Sequence, residues 1–163
     1  MSEELIVKGE TKEELYSNLF PQVESLVAGE PDAVANMANV AACLKTTFGF
    51  WWVGFYRVVG GELVLGPFQG PVACTRIRKG MGVCGTAWAQ GRTVVVADVD
   101  DFPGHIACSS LSKSEIVVPV FRDNEVVAVL DIDSERLGCF DETDRLWLER
   151  IVAIRPGLGI KVV

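Results

Sequence analysis

Residues 50–68 read FWWVGFYRVVGGELVLGPF, and the rest of the fold is interpreted around them. Both halves of this stretch are rich in aromatic and β-branched residues, which are enriched in strands. Gly60 and Gly61 lie between the halves, and a Gly-Gly pair favours a two-residue hairpin turn. The stretch therefore predicts two antiparallel strands joined by a tight turn.

Two tryptophans stand at the start of this hairpin. Trp51 and Trp52 are adjacent, so on a strand their side chains point to opposite faces. We expect one of them in the core. The other could form the wall of a pocket for an apolar side chain, because an indole offers a large, flat apolar surface.

Two helices are predicted before the hairpin. Residues 11–28 begin with the capping-box spacing of Thr and Glu and carry apolar residues at near-helical steps. Pro21 lies inside this segment and is expected to kink or split the helix. Asp32 can cap a second helix that runs to about Phe48 and ends at Gly49.

Strands dominate the chain after the hairpin. The predicted elements are a short strand at 75–78, a short helix at 84–90, a buried strand at 93–97, two paired strands at 115–121 and 126–133, and a helix at 141–155. Residues 98–112 form a polar loop longer than ordinary connections, so this loop is either functional or disordered, and its Cys, His, Pro and Gly content favours a functional loop. The pattern predicts a single α+β domain over residues 1–163. Its sheet is mostly antiparallel with about six strands, helices cover one face, and loops carry the site.

Composition excludes several classes of protein. The chain has 49% hydrophobic and 23% charged residues, which is enough apolar material for a real core. Its net charge of −7 argues against a nucleic-acid partner, which would need a basic surface. No apolar run approaches the ~20 residues that span a bilayer. The N-terminus MSEELIVKGE lacks a signal-peptide pattern, so we predict a cytoplasmic protein without a membrane partner.

Most of the candidate chemistry lies in residues 72–119, which carry Cys74, Cys84, Cys108 and the chain's one histidine, His105. The cysteines lack the C-x₂₋₄-C spacing of a structural zinc site, so a metal centre is not favoured. A redox set needs one attacking thiolate and a second thiol close enough to form a disulfide. Cys84 opens a short helix, where the N–H dipoles would stabilise a thiolate.

The other two cysteines and the histidine have ordinary structural explanations. Cys43 lies inside the second helix as a small buried apolar residue, and Cys139 is assigned only to packing. His105 could be a loop histidine bonded to the backbone or a residue that transfers protons. We expect a loop-shaping residue rather than a catalyst.

Three carboxyl groups stand at strand ends, where an acidic residue often faces solvent. Asp131 and Asp133 share one face of their strand by its period of two. If they line a pocket together with Glu115, the three could bind a substrate ammonium group and supply a proton.

Four segments of the chain resemble a known family. They are FWWVGFYRV (50–58), GPFQGPVACTRI (66–77), KGMGVCGTAWAQGRTVVVADVDDFPGHIACSSLSKSEIVVPV (79–120) and VVAVLDIDSERLGCFDETDRLWLERI (126–151). Together they resemble the free methionine-(R)-sulfoxide reductases, which are stand-alone GAF domains. The resemblance covers roughly residues 12–155.

The resemblance implies a fold and an activity. The fold is a six-stranded antiparallel sheet with helices behind it and loops that close a small pocket, usually in a homodimer. The activity is the reduction of free L-methionine-(R)-sulfoxide to methionine through a cysteine sulfenic acid and an intramolecular disulfide. A dithiol donor such as thioredoxin reduces the disulfide, and neither a cofactor nor a metal is needed.

The resemblance also implies roles for the cysteines. Cys108, in the HIAC motif, corresponds to the catalytic thiol. Cys74 and Cys84 correspond to the two cysteines of which one or both resolve the sulfenic acid. The favoured disulfide is Cys74–Cys108. Whether Cys84 or Cys108 attacks first is left open.

Further residues are implied to bind the substrate. Glu115 and Asp133 would act on the sulfoxide oxygen and on the charged groups of the substrate, with Asp131 beside them. Trp52 and Tyr56 correspond to pocket aromatics. Ser109 departs from the pattern, because relatives are expected to carry an acidic residue after the catalytic cysteine.

A second hypothesis comes from a different class of function. The domain could be a GAF module that binds or senses a small ligand without catalysis.

Overall fold

The computed structural model describes residues 4–154 and Leu158 of the chain. The helices are α1 (Lys12–Val27), α2 (Ala33–Phe48), α3 (Gly82–Gln90) and α4 (Glu142–Val152). The strands are β1 (Trp52–Val59), β2 (Glu62–Gln69), β3 (Arg76–Arg78), β4 (Val94–Val96), β5 (Ser114–Arg122) and β6 (Glu125–Ser134). Over these residues the strands form one sheet in the order β3-β2-β1-β6-β5-β4, with every neighbouring pair antiparallel. The predicted α+β class is confirmed.

Two tight hairpins set the register of the sheet. Gly60 and Gly61 adopt φ values of 60° and 81° between the paired residues Val59 and Glu62. These left-handed conformations favour glycine, which has no Cβ to clash. The turn between β5 and β6 uses positive φ values as well, at Asp123 and Asn124. Both hairpins follow from turn residues that the sequence displays.

Helix α1 continues through Pro21, so the prediction of a split is wrong. Its N-terminus carries the predicted capping box at Thr11. Pro21 lies on the exposed side of the helix, while the opposite side is held in the core. The buried side chains are Tyr16, Leu19, Val23 and Val27. Burial of four large side chains outweighs the single backbone hydrogen bond that a proline removes.

The two faces of the sheet are covered differently. Helix α2 packs on β1 and β2, α4 packs on β5, and α1 packs on α2 and α4. This is the predicted helical face, and its core is apolar. The short helix α3 contacts β5 and β6 from the other side, where its buried residues join a second cluster with Trp52, Tyr56 and Val117. The pocket face is therefore built from α3 together with loops.

Strand β4 corrects the prediction of a buried strand at 93–97. It is the last strand in the sheet order and pairs with β5. Val95 is 41% exposed as a result. A run of three valines has the same composition in a central strand and in an edge strand, so the sequence alone did not distinguish them.

The C-terminal helix begins at the predicted N-cap, Asp141, whose carboxylate accepts hydrogen bonds from the backbone N–H groups of Thr143 and Asp144. The helix ends at Val152 with Ala153 as its C-cap, so the predicted extent to Arg155 is too long, although Arg155 itself lies outside the described residues. Across the described ranges, every helix is too short or too polar to cross a membrane.

Candidate active site

Three neighbouring strands bring the polar candidates to one face of the sheet. Trp52 on β1 pairs with Asp133 on β6, and Asp133 pairs with Glu115 on β5. Asp131 lies two residues along β6, so it points to the same side as Asp133. Glu115 and Asp131 are each only 6% exposed. The alternative in which these carboxyl groups face solvent is therefore wrong.

A pocket of about 570 Å³, counted up to its open mouth, lies over these strands. Its wall includes every predicted site residue except Cys74: Trp52, Tyr56, Cys84, Cys108, Glu115, Asp131 and Asp133. The pocket is closed by the segment after β2, by the start of α3 and by the long loop before β5.

A disulfide joins two of the covering segments. Cys74, which follows β2, is bonded to Cys108 in the long loop, with their Cα atoms 5.7 Å apart. Thirty-four residues separate the two cysteines, so their proximity comes from the fold rather than from local sequence. The predicted pair is present. Cys108 is exposed and Cys74 is half-buried, which leaves the bond within reach of a partner in solution.

Cys84 has a different environment from the one predicted. Its thiol is free and buried in the first turn of α3. Burial raises the pKa of this thiol well above its ordinary value, and the negative charges of Asp131 and Glu115 raise it further. The expectation that the helix N-terminus stabilises a thiolate here is wrong, because desolvation and nearby acids dominate.

The three carboxyl groups form a largely buried cluster in the pocket wall. Burial, followed by the charge of Asp133, raises the pKa of Glu115 to about 8. The pKa of Asp131 is raised well above its usual range by burial and then by the charge of Glu115. Burial and the charge of Asp131 do the same for Asp133, although the Ser112 hydroxyl donates a hydrogen bond of 2.6 Å to it. At neutral pH the cluster therefore keeps protons that it can donate.

One carboxyl oxygen is left for a ligand. Oδ1 of Asp131 is fully buried and has no hydrogen-bond partner among the described residues. Leaving such an acceptor unpaired costs about 1–3 kcal/mol. A ligand with a strong hydrogen-bond donor, such as an ammonium group, would recover this cost.

Aromatic rings form the apolar wall. Trp52 stacks on Phe68 and Tyr56, with ring centroids 5.3 and 6.1 Å apart. Its indole N–H donates to the carbonyl of Pro71, and the Tyr56 hydroxyl donates to the carbonyl of Cys74. The rings are thus fixed in place before any ligand arrives, and Tyr56 ties the wall to the disulfide.

Glycines make room for this wall. A Cβ on Gly70 would lie 2.6 Å from the Trp52 ring, and one on Gly54 would lie 2.8 Å from it. Trp51 also lines the pocket. The prediction that the two tryptophans point to opposite faces fails because Trp51 precedes β1 and is not bound by strand alternation.

His105 is the main site residue that sequence reasoning left aside. Its ring lines the pocket, and Nε2 lies 3.6 Å from Oε2 of Glu115. Its only signal was its place in a polar loop three residues before Cys108. Ser112, which bonds Asp133, was missed for the same reason: loop geometry has no period to read.

A cation could also be held at the pocket floor. The ligand atoms of Cys84, Glu115 and Asp131 lie within 4.8 Å of one another. A metal ion would need Cys84 as a thiolate, which the raised pKa of this buried thiol disfavours. The same acidic floor can hold an organic ammonium group, which needs no deprotonated thiol.

Comparisons with known proteins identify the family. The sequence profile of the GAF domain family matches residues 30–154. The chain is 45% identical to the free methionine-R-sulfoxide reductase of Escherichia coli over 143 residues, 87% of each protein. It is 57% identical to the free methionine-R-sulfoxide reductase of Neisseria meningitidis, whose X-ray structure contains its substrate. That structure has a TM-score of 0.93 and covers 97% of this chain and 94% of its own.

A Staphylococcus aureus protein designated fRMsr, solved in complex with substrate, is 45% identical with a TM-score of 0.82. The match covers 92% of this chain and 96% of that one. The fold and the sequence thus agree over nearly the full length of each protein. This chain belongs to the GAF domain family, in the group that contains the free methionine-R-sulfoxide reductases.

Proposed function

We propose that this protein reduces free L-methionine-(R)-sulfoxide to methionine. The observation that carries the proposal is the Cys74–Cys108 disulfide beside a pocket with three buried carboxyl groups. Relatives at 57% and 45% identity were solved with substrate bound, which supports the same use of the pocket in this chain.

The pocket groups divide the work of binding. We assign the substrate ammonium to the acidic floor, where Oδ1 of Asp131 lacks a partner. The S-methyl group would pack against the rings of Trp52 and Tyr56. Glu115 and Asp133 would face the sulfoxide oxygen. A residue inside a peptide has no free ammonium group, so it would leave buried acids unpaired and bind poorly.

The chemistry begins with reduced cysteines. The Cys108 thiolate attacks the sulfoxide sulfur, and the oxygen takes a proton from Glu115, whose raised pKa of about 8 keeps it protonated at neutral pH. The oxygen is transferred to Cys108, methionine leaves, and Cys108 becomes a sulfenic acid. The Cys74 thiolate then attacks the Cys108 sulfur, and hydroxide leaves with a second proton as water. Two thiols are oxidised and one sulfoxide is reduced, and the two thiol protons balance the water.

Cys84 takes a supporting part in this proposal. Its thiol is buried against the acids that raise its pKa, so it is a poor nucleophile in this state. We therefore assign the attack to Cys108 and its resolution to Cys74. Cys84 is then a thiol in the pocket floor that neither attacks the substrate nor forms the first disulfide.

Regeneration requires a second protein or a small dithiol. A thioredoxin-type donor can attack the disulfide from outside, because Cys108 is exposed. We also propose that the whole chain, residues 1–163, is one domain that acts as a homodimer in the cytoplasm. There the free thiols of Cys43, Cys84 and Cys139 would stay reduced.

The test uses substrate forms that differ by one group. The reduced protein is incubated with dithiothreitol and either free L-methionine-(R)-sulfoxide, its S epimer or the N-acetylated R form, and methionine is measured. We expect product from the free R form, and a rate lower by at least about 10²-fold from the other two. Equal rates with the N-acetylated form would contradict the assigned ammonium site. No product from the free R form, with binding retained, would establish the sensor alternative instead.

A further inference from the structure

His105 is a pocket group that the proposed chemistry has not used. It is the one histidine of the chain. Among the residues that line the pocket, it is the only side chain that can carry a positive charge. Its side chain is 13% exposed, whereas that of Glu115 is 7% exposed. Both side chains are largely buried, and the imidazole is the more exposed of the two.

The reaction makes a demand that Glu115 cannot meet alone. The sulfoxide oxygen leaves as water, so it must receive one proton when it leaves the substrate and another when it leaves Cys108. Glu115 holds one proton. Where Asp133, which would face the same oxygen, gives the second, the acid cluster ends the cycle two protons short and must still be reprotonated from outside. The proton balance closes because the two thiols release two protons, but these must return to the buried oxygen through some group.

We propose that His105 returns a proton to Glu115 within each catalytic cycle, so that one carboxyl group acts as an acid twice. This proposal rests on the function proposed above. His105 acts through Glu115, so it is a positioning and proton-supplying residue rather than a catalytic one.

The geometry suits proton exchange between these two residues. The distance of 3.6 Å between Nε2 and Oε2 is slightly longer than a hydrogen bond, and such contacts commonly tighten when substrate binds. Imidazole exchanges protons with water near neutral pH, which few other side chains do. The thiol protons enter solvent, and His105 takes an equal number from it, so no net proton is consumed.

Other titratable groups line the same pocket as the imidazole. They are Glu115 on β5, Asp131 and Asp133 on β6, and Cys84 on α3. A positive charge on His105 lowers the pKa of both aspartates, against the larger effect of burial. Only Glu115 is within ion-pair distance of the ring among the described residues. Transfer from His105 therefore leads to Glu115 first.

The test follows the two chemical steps separately in one turnover. Reduced wild-type protein, His105→Ala, His105→Gln and the control Ser110→Ala are mixed with substrate and quenched over time. Ser110 lies exposed on the same loop. Methionine reports the first step, and loss of the Cys74 and Cys108 thiols reports the second.

We expect His105→Ala and His105→Gln to form methionine within about threefold of wild type but to close the disulfide at least ~10-fold more slowly. Imidazole added to the buffer should restore closure in His105→Ala, because it can enter the space left at the pocket mouth. Ser110→Ala should behave as wild type.

Three outcomes would overturn the inference. Both His105 variants could close the disulfide at the wild-type rate. His105→Ala could be slow without rescue by imidazole, which indicates a structural role. His105→Gln could be as fast as wild type, which shows that no proton passes through this side chain. Each of these requires an active wild type; a wild type that forms no methionine would refute the proposed function instead.

Discussion

Strands β5 and β6 carry apolar side chains on one face and acidic side chains on the other. Toward the helices, Ile116, Leu130 and Ile132 are fully buried in an apolar core. Toward the pocket, their immediate neighbours are Glu115, Asp131 and Asp133. One residue step along the same strand therefore changes the role of a side chain from stability to chemistry. The apolar core on the helical face stabilises the strands that place three acids on the other face.

The largest difference between the faces should appear in activity. Cys108→Ser removes the thiol to which we assign the attack, and we expect methionine formation to fall by more than ~10³-fold. Cys139→Ser is the matched control, because Cys139 lies next to the helical core and outside the pocket. Steady-state methionine production measures both. Substantial activity in Cys108→Ser would show that the pocket face does not supply the attacking thiol, and the contrast between the two faces would fail.

The acids should make stability fall as pH rises. The pKa of Glu115 is raised to about 8 in the folded protein and lies near 4.3 when unfolded. The folded state thus binds more protons between these values, so its free energy of unfolding declines as pH rises from about 4.3 to 8. Glu115→Gln should flatten this decline by several kcal/mol. Urea denaturation at intervals across that range measures the effect.

If the free energy of unfolding changed with pH equally in wild type and Glu115→Gln, the raised pKa of Glu115 would be contradicted.

Adjacent residues on β6 should separate stability from function. Leu130→Ala opens a cavity in the helical core and should lower the free energy of unfolding by about 2–5 kcal/mol, while the folded protein keeps its kcat. Asp131→Asn should leave stability near neutral pH unchanged or higher, because it removes a buried acid, and should raise KM by at least about 10-fold. Urea denaturation measures the free energy of unfolding of both variants, and steady-state kinetics measure their kcat and KM. Loss of kcat in Leu130→Ala would show that the two faces are coupled.

The smallest effect concerns the fit of the aromatic wall. Gly70→Ala places a methyl group against the Trp52 ring, so we expect KM to rise about 10-fold with a shift in tryptophan fluorescence. Gly60→Ala is the control: its φ is also positive, but a Cβ there meets nothing within 4 Å. It should lower stability by about 1 kcal/mol and leave KM unchanged. A raised KM in both would point to backbone strain rather than to the ring.

The features of the fold and of the pocket that depend on local sequence pattern were predicted correctly. The Gly60-Gly61 turn and the period of two at Asp131 and Asp133 are local, and the structure bears them out. The disulfide pair followed from the resemblance, since spacing in a chain does not give distance in space.

What failed depended on packing between distant segments. The Cys84 thiol opens a helix, which favours a thiolate, but the acids that oppose it come from β5 and β6. Trp51 turned into the pocket because the strand begins one residue later. The approach of His105 to Glu115 is set by the path of an irregular loop.

In the proposed reaction the substrate oxidises this protein at one pair of cysteines. The intact mass, with peptide mapping, of fully reduced protein after one turnover without reductant tests this step. We expect one equivalent of methionine, the loss of two hydrogen atoms, and a new cross-link between Cys74 and Cys108. Methionine formed with all thiols intact, or a cross-link that joins Cys84 instead, would contradict it.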